Sequence, residues 1–447
     1  MNSGLLVLGA SIVLAVPVFL RHPARAVFAF AFLLLLHANL VLSKDLHVGL
    51  ADPMLFGTML GLVACYPLLH GDTPRGSGRF LAACGLWLAG VLNSYVWSTG
   101  QGVSLSVLTD FLPNLLYAGV LFLMVTDRPR MIAALSGVVA ASVLLSVLTI
   151  LKVALGLQDL DFFGLAKGAV DHIASDVDAI RPTGPVEDPN YYCQILLPGF
   201  GLALGAFLVA RTAGERLAGC VATLVILGAI MLTASRGGIL AAAVTMITLL
   251  FLHRKLRYLA VLMVPVVTLL YAVPSYYERL ASLTTSTVAL ASGQTATESS
   301  VSGRLAEMAT AAILFVEHPF AGIGYGTFES RYQDISANHD VVLRGEDRSA
   351  HSLYLETAAE QGVVGLAALL FLLGASLRAV QLAARRAAGQ GDGALMNALL
   401  ALAAGALGVF VSSIFLHDAY AQHFWLVLAL LFAAEKAAGA KTIVMQR

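Results

Sequence analysis

Apolar runs long enough to cross a hydrocarbon core follow one another along this chain, and they limit its fold more than any other feature. They lie near residues 4 to 20, 26 to 42, 54 to 69, 80 to 96, 107 to 125, 131 to 155 and 190 to 210. Further runs lie near 216 to 233, 237 to 252, 258 to 274, 353 to 377, 394 to 416 and 419 to 434, the last being short. Backbone groups surrounded by lipid have no water to bond, so such runs satisfy them internally as helices. With 58% hydrophobic and 12% charged residues and a mean hydropathy of +0.83, the chain lies far outside the range of soluble domains. The expected fold is an all-α polytopic transmembrane helix bundle of 12 or 13 spans.

Sidedness follows from Lys and Arg, which stay on the cytoplasmic side of short loops. Alternate loops carry them: Arg21 to Arg25, Arg75 to Arg79, Arg128 to Arg130, Arg211 to Arg216, His253 to Arg257, Arg378 to Arg386 and the tail from Lys436. These hold 17 of the 27 basic residues, and only 5 of the 27 acidic ones join them: Asp72, Asp127, Glu215, Asp392 and Glu435. The opposite, extracytoplasmic side receives the loop at 156 to 189, the short turn at Thr233 to Gly237, and a polar stretch of 76 residues from Ser275 to Ala350. The chain thus divides into transmembrane helices at 1–274, a large periplasmic loop at 275–350 and C-terminal transmembrane helices at 351–447. The basic residues of the first run follow it instead of preceding it, so this run is expected to remain as a helix and not to be cleaved.

Cys65, Cys84, Cys193 and Cys220 fall in or near apolar runs, and both large outer loops lack cysteine, which supports no disulfide framework and no zinc site. Order in the long loop must come from packing. Leu305, Met308, Ala309, Ala312 and Ile313 recur at helical spacing within Ser302 to Phe315, which predicts a helix lying against the membrane or the bundle. Two acidic pairs, Asp159-Leu160-Asp161 and Asp176-Val177-Asp178, read mostly as solvated acidic surface, and no histidine spacing matches a metal motif, so no bound metal is expected.

Three outer arginines stand at span ends: Arg181, Arg236 and Arg348. Arg236 sits in Ser235-Arg236-Gly237-Gly238, where glycines allow close backbone approach and the positive end of a helix dipole faces outward. It is either an anion site or an interfacial arginine reaching phospholipid headgroups. Arg181 lies in Arg181-Pro182-Thr183-Gly184, presented by a stiff loop, or else paired to Glu187 in an ordinary turn capped by Asp188 or Asn190. His351 follows Arg348-Ser349-Ala350 and opens a span; it titrates near neutrality and is able to take a proton from a hydroxyl, although an interfacial histidine also serves structure alone. Glu356 and Glu360 share one helical face just beyond it, placed to orient the histidine or to hold an arginine.

The order of these landmarks resembles the O-antigen ligase and polymerase superfamily of bacterial inner-membrane glycosyltransferases. The marks are Ser235-Arg236-Gly237-Gly238, Ser302-Gly303-Arg304, His318-Pro319-Phe320-Ala321-Gly322-Ile323-Gly324-Tyr325-Gly326-Thr327-Phe328, and Ala350-His351-Ser352-Leu353-Tyr354-Leu355-Glu356 running on to Glu360-Gln361-Gly362. One departure is Ser352, where the family often has asparagine. The resemblance implies a GT-C-type enzyme of the inner membrane with its active site facing the periplasm. Such an enzyme moves a glycan from an undecaprenyl diphosphate carrier to an acceptor hydroxyl on lipid A-core, a growing glycan or a protein. It implies His351 as catalytic base and Arg236, Arg181 and Arg304 as diphosphate ligands, with Arg348 assisting and Tyr354, Glu356 and Glu360 in support. The chemistry then needs no cofactor and no nucleotide, and the partners are the lipid-linked donor, the acceptor and membrane lipid, with no nucleic acid. The ligase is favoured over a polymerase or a protein O-oligosaccharyltransferase. A transporter or flippase of similar span count is the alternative of another class, although neither an inverted repeat nor a midspan charge pair is visible.

Overall fold

A computed structural model describes residues 21–46, 78–98, 101–174, 177–260, 263, 299–332, 349–417 and 421–439. Helix α1 spans Pro23–Leu35, α2 Gly78–Trp97, α3 Gln101–Met124, α4 Arg128–Ala154, α5 Pro189–Val209, α6 Ala213–Leu232 and α7 Arg236–Leu252. Helix α8, Ser299–Glu317, belongs to the long outer loop; α9 (Leu353–Gly389), α10 (Gly393–Ser412) and α11 (Gln422–Gly439) complete the bundle. Among the described residues six helices, α2, α4, α5, α6, α9 and α10, are long and apolar enough to cross a membrane. Shorter apolar helices run over Pro23–Leu35, Phe111–Met124 and Arg236–Leu252. The protein is an all-α, multi-pass membrane bundle. The runs near 4 to 20 and 54 to 69, and nearly all of 258 to 274, lie outside the described residues.

The core is organised around α5 and α11. Every residue from Gln422 to Ala434 is buried, so the short last run, which falls outside the six by hydropathy, is the most enclosed helix. Helix α5 packs against α4, α6, α7 and α10, and α11 against α3 and α9. Lipid tails are as apolar as leucine, so association between helices depends on close packing. Gly201 and Gly405 provide it where α5 crosses α10: a Cβ on Gly201 would stand 2.9 Å from the Gly405 Cα. At the end of the bundle that carries the basic loops, Arg79 pairs with Glu435 and Arg128 with Asp392. Residues that charge counting assigns to one side of the membrane therefore meet on one side of the fold.

The outer loop at 156 to 189 departs from the all-helical expectation. It folds as an antiparallel hairpin, β1 (Lys167–Ala174) and β2 (Val177–Gly184), with Ala169 opposite Arg181. Val170, Ile173, Val177 and Ile180 are β-branched residues that favour strands, a signal hidden when the same stretch is counted for its carboxylates. Asp178 belongs to the hairpin. Among the described residues no cluster of three or more His, Cys, Asp or Glu side chains is arranged to hold a metal ion.

Helix α8 contains the predicted Ser302 to Phe315 helix, but with its faces assigned differently. Gly303, Ala306, Glu307, Thr310, Ala311 and Leu314 form its buried side, packed on α9. Of the positions chosen for their apolar spacing, Leu305, Ala309 and Ala312 are exposed and Met308 and Ile313 half-buried, turned away from the bundle.

Candidate functional site

Two halves of the outer loop motif lock together at a break in α9. Gly362 (φ 63, ψ −163) interrupts the helix in a conformation open essentially to glycine alone. The carbonyls of Ala359 and Glu360, released from the helical ladder, accept the N–H groups of Ile323 and Gly324, each at 3.0 Å, and Val363 donates to Pro319 O at 2.7 Å. The strap 318–332 thus runs along the break as if it were a strand. Glu360 accepts the Phe328 N–H at 3.0 Å, and the N–H groups of Gly326 and Thr327 also turn toward its carboxylate. Tyr325 anchors the strap in the bundle, edge-on to Trp87 with ring centroids 6.2 Å apart. A second small core, Ala311, Leu314, Ile323, Phe328, Tyr332, Ala350 and Ala359, joins α8, the strap and the start of α9.

His351 stands where this assembly meets the C-terminal helices. Its backbone is left-handed (φ 46), which histidine tolerates better than most side chains. Ser352 caps α9 by accepting the Leu355 N–H at 3.4 Å, a task that asparagine performs equally well, so the departure at this position preserves the cap. Leu353 donates its N–H to Ser413 O and Leu416 O, both at 2.9 Å, which fixes the turn 413–417 against the start of α9.

Glu356 accepts the Ala350 N–H at 2.9 Å and lies 3.2 Å from Nδ1 of His417. Burial, reinforced by the nearby His351, pushes the His417 ring down to about 3, so it is neutral at physiological pH. The carboxylate beside His351 is Glu307 of α8, 3.5 Å from Nε2 and only 1% exposed, whereas the His351 side chain keeps 27% of its surface accessible. Neither Glu307 nor His417 stood out in the sequence. Glu307 hides in a helix picked for its apolar spacing, and His417 lies in a turn with no motif around it.

The arginines arrive from the first half of the bundle. Arg181 in β2 is buried; its Nε donates to Thr233 O at 2.8 Å and an Nη lies 3.5 Å from Asn190 Oδ1. It is not paired to Glu187, which instead faces Lys44, and Asp188 is the residue that caps α5. Thr233 is followed by Ala234, left-handed at φ 51, and by Ser235, whose hydroxyl accepts the Gly238 N–H at 3.2 Å as the cap of α7. Arg236, half-buried, is the first residue of that helix. The glycines after it also serve protein packing: a Cβ on Gly238 would collide with Cys193 Sγ at 2.0 Å, and one on Gly237 would stand 3.2 Å from the Phe415 ring.

A continuous path of contacts joins these pieces. Arg181 holds the 233–236 turn; a Cβ on Gly237 would press on Phe415; the Tyr191 hydroxyl donates to His417 O; His417 meets Glu356; and Glu356 accepts the N–H of Ala350, next to His351, while Leu353 bonds back to Ser413 O and Leu416 O. Arg304 is half-buried on α8, one turn before Glu307. Tyr354 points elsewhere, its hydroxyl donating to Phe410 O at 2.8 Å and pinning α9 to α10. Arg348 lies outside the described residues.

No curated protein matches the chain. Residues 221–370 match the O-antigen ligase family model, a segment that contains Arg236, Arg304, the strap and His351. Over that segment, about a third of the chain, the protein is similar to the O-antigen ligase family.

Proposed function

We propose that the protein transfers a glycan from an undecaprenyl diphosphate carrier to an acceptor hydroxyl on the periplasmic side of the inner membrane, with lipid A-core as the acceptor. His351 removes the proton as the acceptor oxygen attacks the anomeric carbon, and the bond from that carbon to the diphosphate breaks on the opposite face, inverting the centre. Arg236 and Arg181 take up the charge that develops on the departing polyprenyl diphosphate, assisted by Arg304 and Arg348. Arginine suits this task because its planar donors grip phosphate oxygens in pairs and keep their charge.

The observation that carries the proposal is the path of contacts by which Arg181, Arg236 and His351, from distant parts of the sequence, belong to one connected assembly. A base and fixed cations are the two kinds of help this displacement requires, and the assembly offers both. The description of the matching family as an O-antigen ligase favours lipid A-core over a growing glycan or a protein.

The test is purified protein in detergent with undecaprenyl diphosphate-linked glycan and, in parallel, lipid A-core, free glycan and protein acceptors, scored for glycan transfer and release of polyprenyl diphosphate. Transfer to lipid A-core that disappears in His351→Ala supports the proposal. Near-normal transfer by His351→Ala removes the base, and movement of the lipid-linked glycan across a vesicle without turnover would favour a transporter.

A further inference from the structure

His351 has a carboxylate neighbour that the sequence did not assign. Glu307 comes from α8, a helix separated from His351 by the strap, and it is almost wholly buried while the histidine is partly open. Burying a carboxylate away from water is costly unless something compensates it. Here the imidazole Nε2 lies at 3.5 Å, a contact long for a hydrogen bond and of the kind that tightens when substrate arrives. A second pair stands next door, where Glu356 and His417 are 3.2 Å apart, but that histidine is buried. Of these two pairs among the described residues, His351–Glu307 combines an accessible ring with a buried acid.

We propose that Glu307 is the positioning residue of His351: its carboxylate accepts a hydrogen bond from Nε2–H, fixes the ring in one tautomer and leaves Nδ1 as the nitrogen that takes the acceptor proton. The imidazolium formed in the displacement is then stabilised by the carboxylate behind it. This rests on His351 being the base. It also gives α8 a role beyond packing, since the Ala306, Ala311 and Leu314 face that seats the helix on α9 sets the distance between acid and ring. Glu307 of α8 lies against His351, with Arg304 one turn earlier on the same helix, and His417 of the turn 413–417 is close enough to interact with the ring electrostatically; His417 in turn meets Glu356 of α9, which interacts with Glu360 of α9 and Glu329 of the strap.

The experiment compares wild type, Glu307→Gln, Glu307→Asp and His351→Ala. The first readout is transfer from undecaprenyl diphosphate-linked glycan to lipid A-core across pH; the second, which needs no substrate, is the rate at which diethyl pyrocarbonate modifies His351, followed by mass spectrometry across the same range. Glu307→Gln is expected to lower kcat by at least about tenfold with little change in KM, and to move both the acid limb of the rate and the modification midpoint about one pH unit lower. Glu307→Asp is expected to keep the wild-type midpoint, because the charge remains, while losing rate to the shorter reach. Wild-type kcat and an unmoved midpoint in Glu307→Gln overturn the proposal. Should that variant not give monodisperse protein, wild-type kcat in Glu307→Asp overturns it instead. If His351→Ala retains transfer, the base assignment fails on its own, and the modification midpoint still decides whether Glu307 governs the ring.

Discussion

Gly322 and Gly362 meet backbone to backbone: a Cβ on Gly322 would lie 2.1 Å from the Glu360 carbonyl carbon, and one on Gly362 would lie 2.3 Å from Phe320 O. Both are left-handed, at φ +69 and +63, so neither position accepts a side chain for reasons of space or of conformation. This contact lets the strap run along the break in α9. Gly362→Ala is expected to cost about 1–3 kcal/mol in backbone strain alone, with the collision added to it. The expected result is a lower melting temperature in detergent together with loss of transfer.

Arg181 is held in place through Thr233 O and Asn190. A lysine there keeps the positive charge and loses the planar fork. Arg181→Lys is therefore expected to weaken transfer by about tenfold or more, chiefly through KM for the lipid-linked donor, because the 233–236 turn that presents Arg236 loses its tether. Unchanged KM in steady-state assays would show that charge alone suffices.

These two relationships mark the limits of what the sequence displayed. Arg236 and His351 were visible because each stands at the end of an apolar run, where a polar residue is conspicuous. Glu307 was hidden for the opposite reason: the spacing of Leu305, Met308, Ala309, Ala312 and Ile313 gives α8 an apolar face, but the face that packs on the bundle is the one carrying Glu307 and Thr310. Glu356 was placed correctly on the helix, yet periodicity along one helix says nothing of His417, which arrives from a turn 61 residues later. The pairing of Gly322 with Gly362 is likewise a tertiary fact, since a glycine announces freedom without naming what it lies against. The hairpin was obscured by its own carboxylates.

The His417 ring supplies a pH dependence whose sign follows from burial. Its value in the fold is pushed down to about 3, so as pH falls below the ordinary histidine range the unfolded chain binds a proton that the folded chain does not. Stability is therefore complete above about pH 6.5 and declines as the solution is acidified, by roughly 2 kcal/mol at pH 5 from this group. The melting temperature should fall between pH 7.5 and pH 5, and His417→Gln, which removes the titrating group, should flatten that dependence. An equally steep decline in the variant would assign the effect to other groups.

Glu360 and His351 are expected to separate structure from chemistry. The Glu360 carboxylate faces the N–H groups of Gly326, Thr327 and Phe328, so its removal leaves buried donors unpaired at about 1–3 kcal/mol each. Glu360→Ala should release the strap and lower both the melting temperature and transfer. His351, partly open, makes fewer buried contacts than Glu360, so His351→Ala should abolish transfer while lowering the melting temperature less than Glu360→Ala does, the loss of the imidazole beside buried Glu307 being its main cost. Measured side by side on the same preparations, a large loss of stability in His351→Ala would assign that residue to the scaffold, and a cold-stable, inactive Glu360→Ala would bring the second glutamate into the chemistry.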